Sequence, residues 1–472
     1  MKLRLSIALF VAISSSLAAS QIARFQHIVI IVQENRTPDN LFQELCGPTR
    51  SLCPKPYDLQ NFGINSAGQQ ITLVSVPLGT NYDLGHTHPA FKAMCDLDTA
   101  TNQCRMDRAD KTGCSPAANC PLNSQFAYVR SSDIGPYLFL ARNYGWANYM
   151  FQTNQGPSAP AHQFLFSGTS ARSAGDDYNA TFIAENPNSS PAGCLAPLND
   201  IYRLISPQTA NTEYVLLNNP LGTFCLSHPT MGSLLEDHKL TWKYYTPGPN
   251  SIWTAPNFIR DICMPDSTYT TCTGSRWKNS VDLVPKDVLT DISACKLANV
   301  SWVIPTGQNS DHAGNNQIGG PSWVASIINA LGTSTACDGG TGYWKNTAIF
   351  LTWDDWGGWY DHVPPVLLSL PGQGHGNYQY GFRVPLLVIS AYTPAGYVNN
   401  RIQDFGSILR FVEFNFGIPQ GALKFADNRA INNLTGFFNL AAFPRPYQII
   451  AAPIAASTFL NDNSPMDPPD DD

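Results

Sequence analysis

The sequence predicts an α/β fold built on a largely parallel sheet with helices on both faces. Three observations lead there. Apolar runs of four to eight residues recur at 27–32, 214–218, 241–246, 300–305, 347–353 and 384–390. Most are continuous rather than alternating, as strands buried on both faces are. Helix-patterned segments lie between several of them. Acids, amides and histidines follow three of the runs, at the strand ends where such sheets bind ligands.

Taken in order, the chain begins with Lys2 and Arg4, an apolar stretch from Leu5 to Ala12, and the small residues of "SSSLAAS". This is a secretory signal pattern, too short to span a membrane, and it predicts removal of residues 1–20 and a secreted protein, extracellular or periplasmic. No later run reaches 18 apolar residues, so no transmembrane segment is expected. The formal charge of −7 becomes −9 without Lys2 and Arg4. No basic stripe is present, which gives no electrostatic case for nucleic acid. The composition, 43% hydrophobic and 11% aromatic, is that of a core-forming globular chain.

"HIVIIV" (27–32) is the first strand, and Gln33, Glu34, Asn35 and Arg36 follow it. The stretch from about 44 to 125 is rich in Cys, Pro and Asn and reads as a disulfide-tied insertion. All 12 cysteines lie beyond the signal. An even count in an exported chain predicts disulfides. Short loops are expected at Cys46/Cys53, Cys95/Cys104, Cys114/Cys120 and Cys263/Cys272. A zinc cluster would need C-x-x-C spacings, and there are none. Four glycosylation sequons occur, at Asn179, Asn188, Asn299 and Asn433. "PSWVASIINALG" (321–332) and "FGSILRFVEFNFG" (405–417) are the clearest helices, both stopped by Gly. The tail at 461–472 is acidic and Pro-containing. The whole therefore reads as a signal at 1–20, one domain over 21–460 and a tail.

Four features carry chemistry. Asp354-Asp355 places adjacent carboxylates at a strand end, where they repel unless a cation offsets them. Asp also favours turns and caps, but here Trp-Gly-Gly-Trp-Tyr-Asp-His follows. Glu34-Asn35 offers a carboxylate and an amide oxygen, again suited to a hard cation, although the pair also suits a helix start. Ser158 in Gly-Pro-Ser-Ala-Pro sits where a helix begins, a position for an N-cap or for an anion held by the free N–H groups. His86 and His312 lie in polar loops and can donate to a phosphate or act as general acids.

Seven segments together carry a resemblance: "HIVIIVQENRTPDNLF", "DLGHTH", "GPSAPAHQFLFSGT", "DHAGN", "FLTWDDWGGWYDHVPP", "YGFRVPLLVIS" and "DFGSILRFVEFNFG". In this order they resemble the bacterial and fungal phosphoesterase family, which contains phosphatidylcholine-hydrolysing phospholipases C and secreted acid phosphatases. The resemblance implies a three-layer α/β/α sandwich like that of alkaline phosphatases and arylsulfatases. It implies a divalent metal (Mg, Ca, Mn or Zn) on Glu34, Asn35, Asp354 and Asp355. Ser158 takes the nucleophile's place, with His86 and His312 flanking the phosphoryl group and Asp311 beside His312. The implied substrate is a phosphate ester, with phospholipid favoured and phosphomonoester as the alternative. A secreted binding protein that has lost catalysis is a third reading. The chain departs from the family's motifs twice. Thr37-Pro38-Asp39-Asn40 stands where Ser-Phe-Asp-His is common, and Asp311-His312-Ala313 stands where many of its lipases have Glu-His-Pro. The second departure counts against a lipase. The aromatics Trp353, Trp356, Trp359 and Tyr360 are read either as choline or lipid contacts or as core.

Overall fold

The computed structural model describes residues 24–46, 56–175, 181–187, 190–197, 200–206, 212–217, 225–249, 251–314, 317–368 and 378–465. The signal pattern, Cys53, Asn179, Asn188 and the end of the acidic tail lie outside these residues.

Eight strands form the central sheet. In chain order they are β1 (His27–Gln33), β2 (Gly145–Ala147), β3 (Trp242–Tyr245), β4 (Val281–Asp282), β5 (Val300–Val303), β6 (Thr347–Trp353), β7 (Leu386–Ile389) and β8 (Tyr397–Asn399). Their order across the sheet is β4-β3-β5-β1-β6-β7-β2-β8. All neighbours are parallel except β7, which runs against both β6 and β2. The reason is the connection. No helix is found among the described residues between β6 and β7, and a return without a crossover helix lays the strand antiparallel. β1 lies at the centre, and every residue of β1 and β6 is buried, which accounts for their continuous apolar sequence.

Side-chain alternation divides the two faces. Ile30 is in register with both Trp302 and Phe350, so those three share one face. There Phe166 of α3 (Ser158–Ser167) packs 5.2 Å from Trp302, and Phe411 of α5 (Phe405–Phe416) lies 5.0 Å from Phe350. Trp353, three residues on, faces the other way and meets Tyr137 of α2 (Gly135–Asn143) at 5.2 Å. Helix α4 (Gly320–Thr333) packs beside α2 on that face. The result is the expected three-layer α/β/α arrangement, and no described helix is long and apolar enough to cross a membrane.

The run at 214–218 forms a strand (Thr212–Leu217) but not in the central sheet. It pairs antiparallel with Ile201–Ser206 in a separate three-stranded sheet. The Cys-rich stretch carries short strand pairs, helix α1 (His88–Cys95) and two disulfides, Cys95–Cys104 and Cys114–Cys120. Its Phe91, Met94 and Phe126 build a small core with Trp356, Tyr360 and Phe382. Trp359 joins a second small core with Tyr82, Leu84 and Ala313. The aromatics after β6 are therefore core residues, and none of the four is more than 4% exposed. Cys263–Cys272 also forms as expected, while Cys194–Cys225 and Cys295–Cys337 close longer loops. Cys46 is disulfide-bonded, and no described cysteine is free.

Glu413 of α5 faces Asp427 of the following helix, Lys424–Arg429. Burial and Asp427 push the Glu413 carboxyl up to about 9. A carboxyl that holds its proton in the fold but loses it unfolded adds stability that is full below about pH 4.5 and vanishes as pH rises through about 9. Melting temperature should therefore fall between pH 6 and pH 9.5. Glu413→Gln, which keeps an acceptor for the Leu423 N–H (3.1 Å), should flatten that fall. Equal slopes for both proteins in a thermal-melt series would contradict this.

Candidate active site

The site grows from the register of two strands. Gln33 lies opposite Trp353, so the next residues, Glu34 and Asp354, leave the sheet side by side. The Asp354 N–H donates to the Gln33 carbonyl at 3.0 Å, and the Asn35 N–H donates to Asp354 Oδ1 at 3.2 Å. Asn35 adopts a left-handed backbone (φ 60°), which Asn tolerates better than most residues. The turn then depends on Gly357 (φ +59°), where an added Cβ would lie 2.4 Å from the Asn35 carbonyl oxygen. The Gly357 N–H donates to Asp355 Oδ1 at 2.7 Å.

Helix α3 supplies the opposite wall. Ser158 is its first residue, and Ser158 Oγ donates to Asp355 Oδ2 at 3.3 Å. Asn154 holds the preceding turn by donating to the Gly156 and Pro157 carbonyls. One turn along the helix, His162 reaches the same place, because residues four apart share a helix face. Its Nε2 lies 3.5 Å from Glu34 Oε1 and 3.6 Å from Asp354 Oδ2, with all three side chains fully buried. Trp253 Nε1 donates to the other Glu34 oxygen at 2.6 Å.

The electrostatics are unfavourable without a cation. Burial and the Asp354 charge push Glu34 well above the usual carboxylate range. The same two causes raise Asp355 to about 7. Burial also works against the charged form of Asp354, yet His162 and Ser158 hold its pKa below the usual value. Glu34 Oε1, Asn35 Oδ1, Asp354 Oδ2 and His162 Nε2 are buried with no hydrogen-bond partner among the described residues. Three of these, on Glu34, Asp354 and His162, lie within 4.8 Å of one another, a donor set suited to a divalent cation. Glu34, Asp354 and His162 therefore fit a metal; Asn35 Oδ1 is buried beside them, whereas both Asp355 oxygens already accept hydrogen bonds, from the Gly357 N–H and from Ser158. His162 has no role in the sequence reading; the signal was its position four residues after Ser158.

The remaining sequence candidates divide. His86 and His312 come together, with ring centroids 5.9 Å apart. His86 Nδ1 faces the Leu84 carbonyl at 2.7 Å, and its Nε2 faces Asn35 Nδ2 at 3.3 Å. His312 Nδ1 faces the Ala313 carbonyl at 2.6 Å. The Asp311 carboxylate is directed elsewhere, accepting from Tyr137 OH (2.8 Å) and Trp353 Nε1 (2.9 Å). Burial raises it to about 6. Arg36 donates to the Asp311 carbonyl (2.9 and 2.6 Å) and to that of Leu78 (2.8 Å), bracing the loops behind the site.

A second buried cluster, Asp39, Asp361 and His362, also brings potential ligands together, but its oxygens are occupied. Arg383 donates to both Asp361 oxygens, at 2.9 and 3.0 Å. Asp39 accepts from Gln60 N–H and from both the N–H and Nδ1 of His362. Burial alone would lower the His362 pKa; Asp39 and Asp58 push it up to about 10. This cluster is a paired charge network. The divergent turn 37–40 belongs to it: Thr37 accepts from the Asn40 N–H and donates to the Tyr360 carbonyl, while Asp39 supplies the carboxylate.

Fold and site together define an α/β protein with a buried carboxylate–histidine centre beside a helix-start serine. Residues 25–419 match the Phosphoesterase family, and the chain belongs to it. It is 25% identical over 455 residues to the non-hemolytic phospholipase C of Pseudomonas aeruginosa, covering 88% of this chain and 57% of that protein. It is 23% identical over 453 residues to phospholipase C A of Mycobacterium tuberculosis, covering 89% of this chain and 78% of that one. The chain thus spans little more than half the length of the Pseudomonas relative. Among solved structures, the lipoteichoic acid synthase LtaP of Listeria monocytogenes aligns with 11% identity and TM-score 0.34, covering 85% of this chain and 74% of LtaP. An alkaline phosphatase superfamily protein of Vibrio parahaemolyticus aligns with 13% identity and the same TM-score, covering 64% and 63%. Likeness at that level adds nothing to what the topology shows.

The two clusters should respond oppositely to substitution. Arg383→Met leaves the buried Asp361 without its ion-pair partner, while Asp39 keeps His362, and should cost about 3–5 kcal/mol in urea unfolding; no measurable loss would refute the paired-network reading. Glu34→Gln removes a buried carboxyl whose charged form burial and Asp354 disfavour, with no arginine or lysine beside it among the described residues. It should raise the melting temperature of chelator-treated protein and lose the stabilisation that added divalent ion gives the native chain. A lower melting temperature in chelator would show that Glu34 is satisfied without a cation.

Proposed function

We propose that the chain is a secreted, metal-dependent phosphoester hydrolase of the phospholipase C type that works through Ser158. One observation carries the reading: a serine hydroxyl at a helix N-terminus, hydrogen-bonded to Asp355, borders a buried set of carboxylate, amide and imidazole atoms that lack partners among the described residues. The family and the phospholipase C relatives support the substrate class. The disulfides and the N-terminal signal pattern support export.

When bound on Glu34, Asp354 and His162, with Asn35 Oδ1 close by, the divalent ion supplies Lewis acidity and positive charge beside Ser158. Asp355 orients the Ser158 hydroxyl and accepts its hydrogen bond. Ser158 Oγ attacks phosphorus as its proton passes to Asp355, the ester oxygen departs with a proton from a histidine, and water then hydrolyses the phosphorylated serine. Of the N–H groups at the start of α3, that of Ala159 donates to Asn186 Oδ1 at 2.9 Å and Pro160 has none, so the helix end favours the phosphoryl charge through its dipole. His312 is the general acid. Its Nδ1 is held by the Ala313 carbonyl, so protonation places the transferable hydrogen on Nε2. His86 Nε2 instead accepts from Asn35, which turns Asn35 Oδ1 toward the cation position.

A second reading, hydrolysis of phosphomonoesters as an acid phosphatase does, is favoured by one observation. Trp353, Trp356 and Trp359 are fully buried and Tyr360 nearly so, which leaves them unable to form an aromatic cage for a choline headgroup.

Ser158→Ala should lower kcat at least about a thousandfold on p-nitrophenyl phosphate and p-nitrophenylphosphorylcholine alike, and should abolish a phosphoserine trapped by acid quench and mapped by mass spectrometry. Turnover by a folded Ser158→Ala protein would exclude this nucleophile. The native enzyme's ratio of activity on the two substrates separates the two readings. His312→Gln should slow esters of aliphatic alcohols far more than p-nitrophenyl esters, because only a poor leaving group needs the proton. An equal loss on both would remove His312 from that role.

A further inference from the structure

We infer that the metal centre is a mixed nitrogen–oxygen site in which His162 Nε2 is a ligand, so that it takes a first-row transition ion such as Zn2+ or Fe2+ in preference to Mg2+ or Ca2+. The inference rests on the metal-dependent reading above and deepens it.

The argument turns on one tautomer. His162 Nδ1 lies 3.3 Å from Tyr244 OH. Tyr244 OH has a single proton and gives it to the Trp253 carbonyl at 2.8 Å. The hydroxyl can therefore only accept from the imidazole, which fixes the hydrogen on Nδ1. The Nε2 lone pair then points between Glu34 Oε1 and Asp354 Oδ2. A lone pair facing two buried carboxylates is repulsive unless a metal ion or a proton lies between them.

A doubly protonated His162 is the competing arrangement, and the distances count against it. Charge-assisted N–H···O bonds run to about 2.7–2.9 Å, whereas Nε2 stands 3.5 and 3.6 Å from the two oxygens. Those separations match the edge of a coordination shell: tetrahedral bonds of about 2.1 Å place neighbouring ligands about 3.4 Å apart. Tyr244 and Trp253 complete the outer layer. The first orients the imidazole, and the second donates to Glu34 Oε2, leaving Oε1 for the ion. Imidazole suits zinc, iron and similar ions, while Mg2+ and Ca2+ prefer shells made of oxygen. The Asp39, Asp361 and His362 cluster offers no rival, because Arg383 and the neighbouring N–H groups already occupy its carboxylates.

The test strips the full-length protein with chelator and titrates it separately with Zn2+, Co2+ and Mg2+ by calorimetry. Bound metal is counted by plasma mass spectrometry. The native chain should bind one equivalent of Zn2+ or Co2+ at least about tenfold more tightly than Mg2+. His162→Gln should weaken Zn2+ and Co2+ by about 10- to 100-fold while changing Mg2+ affinity much less, and Tyr244→Phe should weaken Zn2+ by about tenfold. X-ray absorption of the native cobalt-loaded protein should show imidazole scattering, which requires no variant to fold. Mg2+ bound as tightly as Zn2+, unchanged Zn2+ affinity in a folded His162→Gln protein, or an oxygen-only shell would each overturn the inference. Turnover separates it from the parent reading. Zn2+ binding without hydrolysis sinks the hydrolase and leaves the site standing; hydrolysis supported by Mg2+ alone does the reverse.

Discussion

The parallel pairing of β1 with β6 sets two carboxylates beside each other where water is excluded, and the surrounding structure answers that arrangement. In register, Gln33 meets Trp353, and both strands are too deeply buried to shift without exposing apolar faces. Glu34 and Asp354 cannot separate, and burial disfavours both charges. Each neighbour reduces that cost. Trp253 takes one Glu34 oxygen, the Asn35 and Asp355 N–H groups take Asp354 Oδ1, and Ser158 takes Asp355 Oδ2. The atoms left over are those aimed at a common point.

The contrast between the two acidic clusters shows why composition alone does not identify a metal centre. Both hold carboxylates and a histidine in the interior. One contains Arg383, whose fork satisfies Asp361 and braces Asp39, so its charge is neutralised by protein. The other has no arginine or lysine contact among the described residues. The paired cluster stabilises the loop that carries Asp354 and Asp355, since Asp361 and His362 end the same segment. Arg36 does similar work on the other side through the Asp311 and Leu78 carbonyls.

Much of this was legible in one dimension, because strands buried on both faces need continuous apolar runs and strand ends in such sheets carry polar residues. Five of the six runs entered the central sheet. The sixth, Thr212–Leu217, has the same composition, and what distinguishes it is pairing that only tertiary structure supplies. Strands β2, β4 and β8 span two or three residues and leave no periodic signal. His162 was hidden because an imidazole within "APAHQFLF" reads as part of an apolar helix; only its spacing from Ser158 marks it. Asp311 misled in the opposite direction. Adjacency to His312 placed it at the site, but successive side chains diverge, and its carboxylate meets Tyr137 and Trp353 instead. Arg36 and the turn at 37–40 resisted interpretation because their partners, Asp311, Leu78, Tyr360 and Arg383, are distant in sequence.

The central claim, that a single cation joins the two strand ends to Ser158, is tested most directly by anomalous diffraction from crystals of the native protein soaked in orthovanadate. The account predicts one metal peak enclosed by Glu34, Asp354 and His162, with vanadium at bonding distance from Ser158 Oγ. A metal peak among Asp39, Asp361 and His362, or vanadate seated away from Ser158 with no metal beside Glu34, would contradict it.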